Sequence, residues 1–350
     1  MEQSIFYNGQ RLINSKDING NIPEIYAVDG NRSDGKTTFF ARKMIRDFKK
    51  YGKKFMIVKR FQYQIKNAHE VMFKLVGPHW FPKDKLTAVS QFKGRYMELF
   101  LNDKPCGYVC ALSMAEKLKD ISQFYCDTDQ MFFDEFQAKE YVPDEANMLF
   151  TLHTSAGREF GKAVKRVPVY MCCNHVSSLN PYYKMWGCGA RVDEMKKGIY
   201  RGDGFVIERD FNEKVSKLQE QSAFKRAFIN ASIYKHTVFN ESVSDNFSFC
   251  EKIKSSKFDY ICNCIIDGEY ISLIRVKDVP GVHYYFSENV NKSCRCNFTV
   301  FSNDHSIDTL LLGRNVDFLN SLKNQFDHGY MRFSNLDVKE KAFQFLSIMI

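Results

Sequence analysis

Four short apolar runs in the first part of the chain predict buried β-strands. They are EIYAVD (24–29), KFMIVKR (54–60), DTDQMFFDEF (127–136), whose strand ends at Asp134, and VPVYMCCN (167–174). Two further runs, RYMELFL (95–101) and GYVCALS (107–113), lie on either side of a polar turn and predict a β-hairpin.

Amphipathic segments between these strands predict helices. One helix is expected from about Lys36 to about Tyr51, and another is expected through Lys74 with a break at Gly77-Pro78. A further helix is expected in YVPDEANMLFTLHTS (141–155). Strands that alternate with helices predict an α/β fold with a mostly parallel sheet, whose functional residues lie at the carboxyl ends of the strands.

The pattern changes after about Asp210, where apolar strands give way to a charged segment containing NEKVSKLQEQSAFKRAFINASIYK (212–235). Beyond it, FDYICNCIIDGEYISLIRV (258–276) predicts a hairpin that turns at Asp267-Gly268. A final helix is expected in KEKAFQFLSIM (339–349). We therefore predict one domain over residues 1–210, a helical linker over 211–245 and a smaller α+β domain over 246–350.

Length and composition agree with a soluble two-domain protein. The chain has 350 residues, whereas single hydrophobic cores stop growing at about 250–300 residues. Hydrophobic residues make up 44% and charged residues 26% of the chain, which argues against global disorder. No apolar run approaches the roughly 18–20 residues that span a bilayer, and the first residues lack the pattern of a signal peptide. An intracellular location without a membrane partner is expected.

The cysteines predict reduced thiols. There are eleven of them, without the spacing of a secreted disulfide scaffold. The pairs Cys262-x-Cys264 and Cys294-x-Cys296 differ from the usual spacing of zinc ligands, so buried structural thiols are favoured over a metal site.

Positive charge is concentrated between Lys36 and Arg60. This segment holds ten basic residues and one acid, Asp47, and its net charge of +9 equals the formal charge of the whole chain. A concentrated field favours binding of a polyanion such as nucleic acid or a nucleotide, and a solvated helix face beside a phosphate site is an equal alternative.

A phosphate-binding loop is the strongest motif in the sequence. The pattern G-x-x-x-x-G-K-[ST] is matched, between a predicted strand and a predicted helix, by Gly30, Asn31, Arg32, Ser33, Asp34, Gly35, Lys36 and Thr37, with Thr38 adjoining. In such a loop the backbone N–H groups surround the phosphates of ATP, Lys36 meets the β- and γ-phosphates, and Thr37 is a ligand of Mg²⁺. Tyr7 and Gln10 lie upstream, where packing is favoured over contact with the adenine.

The apolar strand QMFFD ends in an acid, Asp134, and a second acid, Glu135, follows it directly. A P-loop hydrolase requires two acids at such a strand end. Asp134 is predicted to hold the Mg²⁺ shell, and Glu135 is predicted to orient or deprotonate the attacking water. A P-loop kinase would transfer the phosphoryl group to a bound substrate and would not need a carboxylate at that position. Hydrolysis is therefore favoured.

Two further polar residues are candidates for the catalytic site. Asn174 follows the strand VPVYMCC, where its amide is expected either to sense the γ-phosphate or to cap a turn. Arg158 is the candidate arginine finger for the nucleotide of a neighbouring subunit, with Lys162 and Arg166 as nearby alternatives, and an ordinary surface role is the default for such an arginine.

Several segments, taken in order, resemble one family. FYNGQ (6–10), GNRSDGKT (30–37), YGKKFMIVKR (51–60), FFDEF (132–136), CCNHVSSLNPYY (172–183) and HGYMRFSN (328–335) are similar to the DNA encapsidation ATPases of small podophages, the phi29-like packaging motors. The resemblance implies a P-loop ATPase domain of the ASCE type, a helical linker and a C-terminal domain of RNase H (nuclease-like) fold that lacks nuclease activity.

The resemblance also implies partners and site residues. A ring of subunits, a pentamer, would act at the portal (connector) of the procapsid in the host cytoplasm, moving double-stranded DNA inward, in some relatives with a structural RNA. Lys36 and Thr37 would be the Walker A pair, Asp134 the Walker B aspartate and Glu135 the catalytic glutamate. Lys59 and Arg60 match a basic pair that would face nucleotide or DNA.

Two features of this sequence bear on that comparison. The loop carries Ser33-Asp34 where small or apolar residues are expected, and an acid beside phosphates is unfavourable unless it points outward. In the C-terminal domain Asp267 is explained by its turn, and Asp278 is the one well-placed candidate for a metal-dependent nuclease, which needs several carboxylates. DNA cleavage is not expected.

Two other functions compete with the translocating ATPase. One is a nucleotide-gated assembly or nucleic-acid-binding protein that hydrolyses ATP slowly. The other is a hexameric helicase or a mobile-element ATPase. DNA-stimulated turnover without strand separation would favour the packaging motor.

Overall fold

The computed structural model describes residues 6–137, 142, 144–158, 165–174, 180–195, 197–227, 248–266, 268–311 and 317–346. The chain divides into two compact units, Met1–Ser244 and Asp245–Ile350. The described part of the predicted linker, residues 211–227, belongs to the first unit. The linker as a separate segment stays a prediction.

The N-terminal unit is built on a nine-stranded sheet with the order β3-β4-β5-β2-β6-β7-β1-β9-β8. Its strands are β1 Ile25–Gly30, β2 Phe55–Lys59, β3 Leu86–Gln91, β4 Tyr96–Leu101, β5 Lys104–Ala111, β6 Gln130–Asp134, β7 Val169–Asn174, β8 Gly198–Arg201 and β9 Phe205–Asp210. The six central strands pair in parallel, and antiparallel strands complete both edges. This confirms the predicted α/β fold.

Helices connect the parallel strands and cover the sheet. They are α1 Gln10–Ile13, α2 Lys36–Tyr51, α3 Ala68–Trp80, α4 Ala115–Lys119, α5 Glu145–Ala156, α6 Pro181–Met185, α7 Gly189–Glu194, α8 Glu213–Glu220 and α9 Ala223–Arg226. The central strands β1, β2, β6 and β7 are mostly apolar because both of their faces are buried.

Two predictions for this unit have clear outcomes. Helix α2 is confirmed, and Gly52 ends it in the left-handed conformation at φ 70°. The predicted break at Gly77-Pro78 is wrong, since α3 continues to Trp80. Pro78 lies in the last turn, where its missing N–H removes a single helical hydrogen bond, and the N–H of Phe81 still bonds to the carbonyl of Gly77 at 2.9 Å.

The C-terminal unit has a six-stranded sheet with the order β14-β13-β10-β11-β12-β15. Its strands are β10 Phe258–Ile266, β11 Glu269–Val276, β12 Tyr284–Ser287, β13 Asn297–Thr299, β14 Leu310–Leu311 and β15 Met331–Phe333, with helices α10 Asp317–Asp327 and α11 Leu336–Leu346. Strands β10 and β11 form the predicted hairpin. Its turn residue Asp267 lies outside the described residues. This unit is the smaller α+β unit that the sequence predicts.

Asp278, the predicted nuclease candidate, has a structural role in the C-terminal unit. Its carboxylate accepts hydrogen bonds from the Ser255 and Ser256 side chains and from the backbone N–H groups of Ser256 and Lys257. The bond from Ser255 is the main cause that lowers its pKa to about 2. Among the described residues no group of three or more acidic, histidine or cysteine side chains is arranged to hold a metal ion.

The structure also describes the state of the cysteines and the character of the helices. All eleven cysteines are free thiols, and most of them are buried. Over the described ranges, no helix combines the length and the apolar composition that crossing a bilayer requires.

Candidate nucleotide-binding site

The P-loop lies between the carboxyl end of β1 and the start of α2, as predicted. Two of its residues have to be glycine. Gly35 has a φ of 99°, which L side chains rarely adopt, and a Cβ on Gly30 would lie 2.4 Å from the carbonyl oxygen of Asp210 at the end of β9. The close packing of neighbouring strand ends therefore fixes the path of the loop.

The carboxylate of Asp34 binds donor groups of its own loop that would otherwise bind phosphate. Its carboxylate accepts hydrogen bonds from Nζ of Lys36 at 3.0 Å and from the backbone N–H of Lys36 at 3.1 Å. Asp34 is 1% exposed and Lys36 is 5% exposed, so the acid points inward rather than outward. Burial raises the pKa of the Asp34 carboxyl, although the charge of Lys36 opposes that shift. The carboxylate thus satisfies two donors that a P-loop offers to phosphate.

Thr37 and Asp134 come together at the carboxyl end of the sheet. The Thr37 hydroxyl donates a hydrogen bond of 3.0 Å to Asp134 Oδ1, which also accepts the thiol of Cys172 at 3.0 Å. A hydroxyl and a carboxylate are the oxygen ligands that Mg²⁺ prefers, and Mg²⁺ usually takes its remaining ligands from water and phosphate. The two residues therefore fit the predicted magnesium site.

Glu135 is held by its backbone in a conformation that is uncommon for a residue other than glycine. Its φ is 60°. Its N–H donates to the carbonyl of Cys172 at 2.7 Å, and its carbonyl accepts a hydrogen bond from Arg60 Nη2 at 3.0 Å. These contacts fix the backbone of Glu135 while its side chain remains exposed in the cavity described next.

A cavity of about 570 Å³ joins most of the predicted residues. Its lining includes Ser33, Asp34, Gly35, Lys36, Thr37, Thr38, Asp134, Glu135 and Asn174. In the parallel register, Asn174 at the end of β7 is the partner of Gly30 at the end of β1. This position agrees with the predicted role of Asn174 beside the terminal phosphate, which stays a prediction.

Asn31 and Arg32 are bound to the segment that follows β9. The Asn31 side chain exchanges hydrogen bonds with the backbone of Asn212, at 3.0 and 3.2 Å. The Gln219 side chain, on α8, donates to the carbonyl of Arg32 at 2.7 Å. Sequence reasoning missed this contact, because a charged helix in a predicted linker carries no signal that it holds the loop.

Arg158 lies at the amino ends of the parallel strands, whereas the P-loop of its own chain lies at their carboxyl ends. Helix α5 begins beside the strand ends, where Glu145 pairs with Arg60, and it ends near Glu24 just before β1, where His153 lies 3.5 Å from the Glu24 carboxylate. Arg158 follows that helix and donates to the Ser122 hydroxyl at 3.2 Å. A role on the nucleotide of its own chain is therefore excluded, and the role on a neighbouring subunit stays a prediction.

Arg166 and Lys162 are the other two candidates for the arginine or lysine that reaches a neighbouring subunit. Arg166 donates to the backbone carbonyl of Pro23 at 2.7 Å, so its guanidinium is engaged within the chain. Lys162 lies outside the described residues.

The basic segment from Lys36 to Arg60 is partly neutralised within the fold. Six of its ten basic residues pair with acids, and two of the six, Lys43 and Arg46, share Asp47. The other four are Lys36, Lys49, Lys54 and Arg60. The local field is therefore weaker than the residue count implies, and both interpretations of this segment stay predictions.

The structure corrects the prediction that Arg60 faces DNA or nucleotide. Its guanidinium forms a buried ion pair with Glu145 and donates to the carbonyls of Glu135 and Phe136 at 3.0 Å. Occupied in this way, Arg60 holds the loop of Glu135 rather than a phosphate. Lys59, at the end of β2, keeps its prediction as a DNA contact.

Sequence reasoning missed the buried groups that support these loops. The Tyr182 hydroxyl donates to Glu145 at 2.9 Å, and the Tyr183 hydroxyl donates to Asp29, the residue before the P-loop, at 3.3 Å. Burial raises the pKa of both tyrosines well above its usual value, so both remain donors. The segment SSLNPYY offered a signal, but only its resemblance to a family and not its contacts.

We expect Asp34→Asn to bind ATP about tenfold more tightly than the parent chain. Binding of phosphate draws Lys36 away from Asp34 and leaves a buried carboxylate with one charged hydrogen bond fewer, which costs about 1.5–3 kcal/mol. An amide keeps the acceptor for the N–H of Lys36 and removes that charge. Isothermal titration calorimetry measures the affinity, and Asp103→Asn, at the exposed turn after β4, is the matched control. Equal or weaker binding by Asp34→Asn would contradict the prediction.

The fold and the order of the motifs are those of a P-loop NTPase domain of the ASCE type. A mostly parallel sheet carries the P-loop after β1 and an Asp-Glu pair after β6, and β6 is separated from β1 by β7.

Comparison with known proteins makes this class specific. The family model of the podovirus DNA encapsidation protein (Gp16) matches residues 1–350, and the chain belongs to that family. It is 25% identical over 353 residues to the DNA packaging protein of Bacillus phage phi29, with 98% of each chain covered. It is 23% identical over 317 residues to the DNA packaging protein of Bacillus phage B103, covering 88% of this chain and 92% of that one.

A solved structure shares the fold. The bacteriophage phi29 viral genome packaging motor assembly contains a chain that superposes with a TM-score of 0.73 at 23% identity, covering 99% of this chain and 100% of that one. As a member of the family, this chain is a bacteriophage DNA-packaging protein, and the nucleotide-gated assembly and helicase alternatives are not favoured.

Proposed function

We propose that the chain is an ATP-hydrolysing, Mg²⁺-dependent subunit of the motor that moves double-stranded viral DNA into a preformed capsid. The observation that carries the proposal is the hydrogen bond of 3.0 Å between Thr37 and Asp134 at the strand edge, with Glu135 beside them in the same cavity. The names of the relatives support the substrate, since they are DNA packaging proteins.

The chain's own residues perform the steps around the triphosphate. Lys36 leaves Asp34 and neutralises charge on the β- and γ-phosphates. Thr37 and Asp134 would hold Mg²⁺, which when bound neutralises the charge that develops on the phosphate oxygens. Glu135 accepts a proton from the attacking water, and the amide of Asn174 contacts the terminal phosphate.

The proposed assembly is a ring of five copies at the portal of the procapsid in the host cytoplasm, with a structural RNA as a further partner to be tested. The position of Arg158, far from the P-loop of its own chain, supports a site completed by a neighbouring subunit. Such an arginine is worth about 10³–10⁵ in rate, so an isolated subunit would hydrolyse ATP slowly.

The test is ATP hydrolysis with and without double-stranded DNA, at low salt and at protein concentrations that allow assembly. We expect DNA to stimulate turnover without strand separation, and we expect the stimulation to fall steeply between about 50 and about 200 mM salt, because the contacts are to phosphate. If the assembled protein hydrolyses ATP at the same rate with and without DNA, the proposal is overturned.

Lys59 and Lys53 provide a matched pair of variants that tests the DNA contact in the same assay. Lys59 lies at the carboxyl end of β2, and the exposed Lys53 precedes the same strand at its other end. Lys59→Met should reduce the stimulation by DNA, whereas Lys53→Met, with the same change of charge, should not.

A further inference from the structure

Part of the cavity at the P-loop is lined by residues that have no role in the proposed mechanism. This part is lined by Phe6, Leu75 and Trp80, which are 55%, 40% and 40% exposed. Ligand pockets are typically lined by apolar and aromatic side chains of this kind, with a few polar groups beside them. Because they share a cavity with Lys36 and Thr37, they are placed to contact the ligand whose phosphates the loop binds.

The geometry of this part suits a flat aromatic ring. The guanidinium carbon of Arg42 lies 4.9 Å from the centre of the Trp80 ring, so one face of the indole is already covered by a cation. The His79 ring meets Trp80 at its edge, with centroids 5.7 Å apart. An indole that is packed on one face and exposed elsewhere is a preorganised stacking platform.

The distance from the P-loop also fits. Arg42 is six residues beyond Lys36 on α2, which corresponds to about 9 Å along the helix axis. A ribose and one phosphate group span a comparable length between the β-phosphate and the base of a nucleotide. The side chain of Phe6 lies against Gly35 of the loop, where an added Cβ would be 3.2 Å from Phe6 Cβ.

We propose that Trp80, held in place by Arg42, stacks on the nucleobase of the bound nucleotide, with Phe6 and Leu75 completing the subsite. The proposal rests on the function proposed above and names how the same site recognises its ligand. Stacking favours the larger purine ring over a pyrimidine. Tyr7 is not available for this role, since it is buried and its hydroxyl donates to Glu208 at 2.9 Å.

The test compares ATP with inorganic tripolyphosphate, which has the phosphates and no base. Equilibrium binding should show that Trp80→Ala weakens ATP binding about 5-fold to 150-fold, the usual range for loss of base stacking. Its affinity for tripolyphosphate should be unchanged. Trp80→Phe keeps an aromatic face and should retain most of the ATP affinity.

Fluorescence gives a second readout, because the chain has two tryptophans. The other one, Trp186, stacks on Phe205 with ring centroids 4.8 Å apart. In a Trp186→Phe background, ATP should quench the emission of Trp80 and tripolyphosphate should not.

The outcomes separate this proposal from the proposed function. Unchanged ATP affinity in Trp80→Ala, or equal weakening of ATP and tripolyphosphate, would overturn the base subsite alone. If Lys36→Ala leaves the binding of both ligands intact, the P-loop does not bind the phosphates, and the proposed function fails together with the subsite.

Discussion

Replacement of Glu135 by Gln is expected to lower ATP turnover at least about 100-fold while ATP binding stays within a few-fold of the parent chain, because loss of a general base typically costs that factor or more. Gln has the shape of Glu and cannot accept a proton from water. The contacts of Glu135 with Cys172 and Arg60 are made by backbone atoms, so the exchange leaves them in place.

The measurement is single-turnover hydrolysis by assembled protein with DNA, alongside nucleotide binding by calorimetry. The matched control is Glu116→Gln on α4, which makes the same change outside the cavity lining and should leave turnover unchanged. Glu135→Asp is a second control, since it keeps the carboxylate but moves it back by one carbon, and it should retain part of the activity. Parental turnover in Glu135→Gln would show that another group activates the water.

Replacement of Arg60 by Met is expected to lower the free energy of unfolding of the N-terminal unit by about 3–5 kcal/mol, the usual cost of removing one partner of a buried ion pair. The Glu145 side chain is 2% exposed and would be left as a buried charge. Its second contact, with the Tyr182 hydroxyl, does not neutralise it. The loop of Glu135 would also lose two hydrogen bonds, so turnover should fall as well.

Urea unfolding followed by tryptophan fluorescence reports on this unit, because Trp80 and Trp186 both lie in it. The matched control is Lys54→Met, which breaks a pair with the half-exposed Asp127 and should cost at most about 1 kcal/mol. The double variant Arg60→Met with Glu145→Leu should recover much of the lost stability, since it leaves no unpaired charge. A loss below about 1 kcal/mol in Arg60→Met would contradict the prediction.

The position of Arg60 shows why a basic residue beside a strand end is ambiguous in sequence. Lys59 and Arg60 are adjacent in a basic segment, and a charge count cannot separate them. The structure places Glu145, from α5, against Arg60 and leaves Lys59 at the end of β2. The partner that decides the role of Arg60 lies 85 residues away along the chain.

Asp34 differs from Arg60, because the sequence already identified it as an unusual residue for a P-loop. An acid inside a P-loop is unfavourable beside phosphate, and the sequence indicates only that it should point outward. It points inward instead, because Lys36 and the first N–H of α2 bind it. A local contact of two residues thus depends on how the loop packs under the end of β9.

The sequence by itself determined the P-loop, the strand before it, the helix after it, and the Asp-Glu pair at the end of a second buried strand. These features follow from local patterns, since glycine positions, apolar runs and chain order specify where parallel strands end and what stands there. It also determined the family, because several specific segments occur in one order.

Only the tertiary structure decided which side chains meet. It paired Asp34 with Lys36 and Arg60 with Glu145, bound Asn31 to Asn212, and brought Trp80 to the cavity of the P-loop. Most of these contacts join residues that are far apart in the chain, and each depends on burial, which sequence patterns report only as an average over a helix or strand. The chemistry of the strand ends could therefore be predicted from sequence, while the packing that positions it could not.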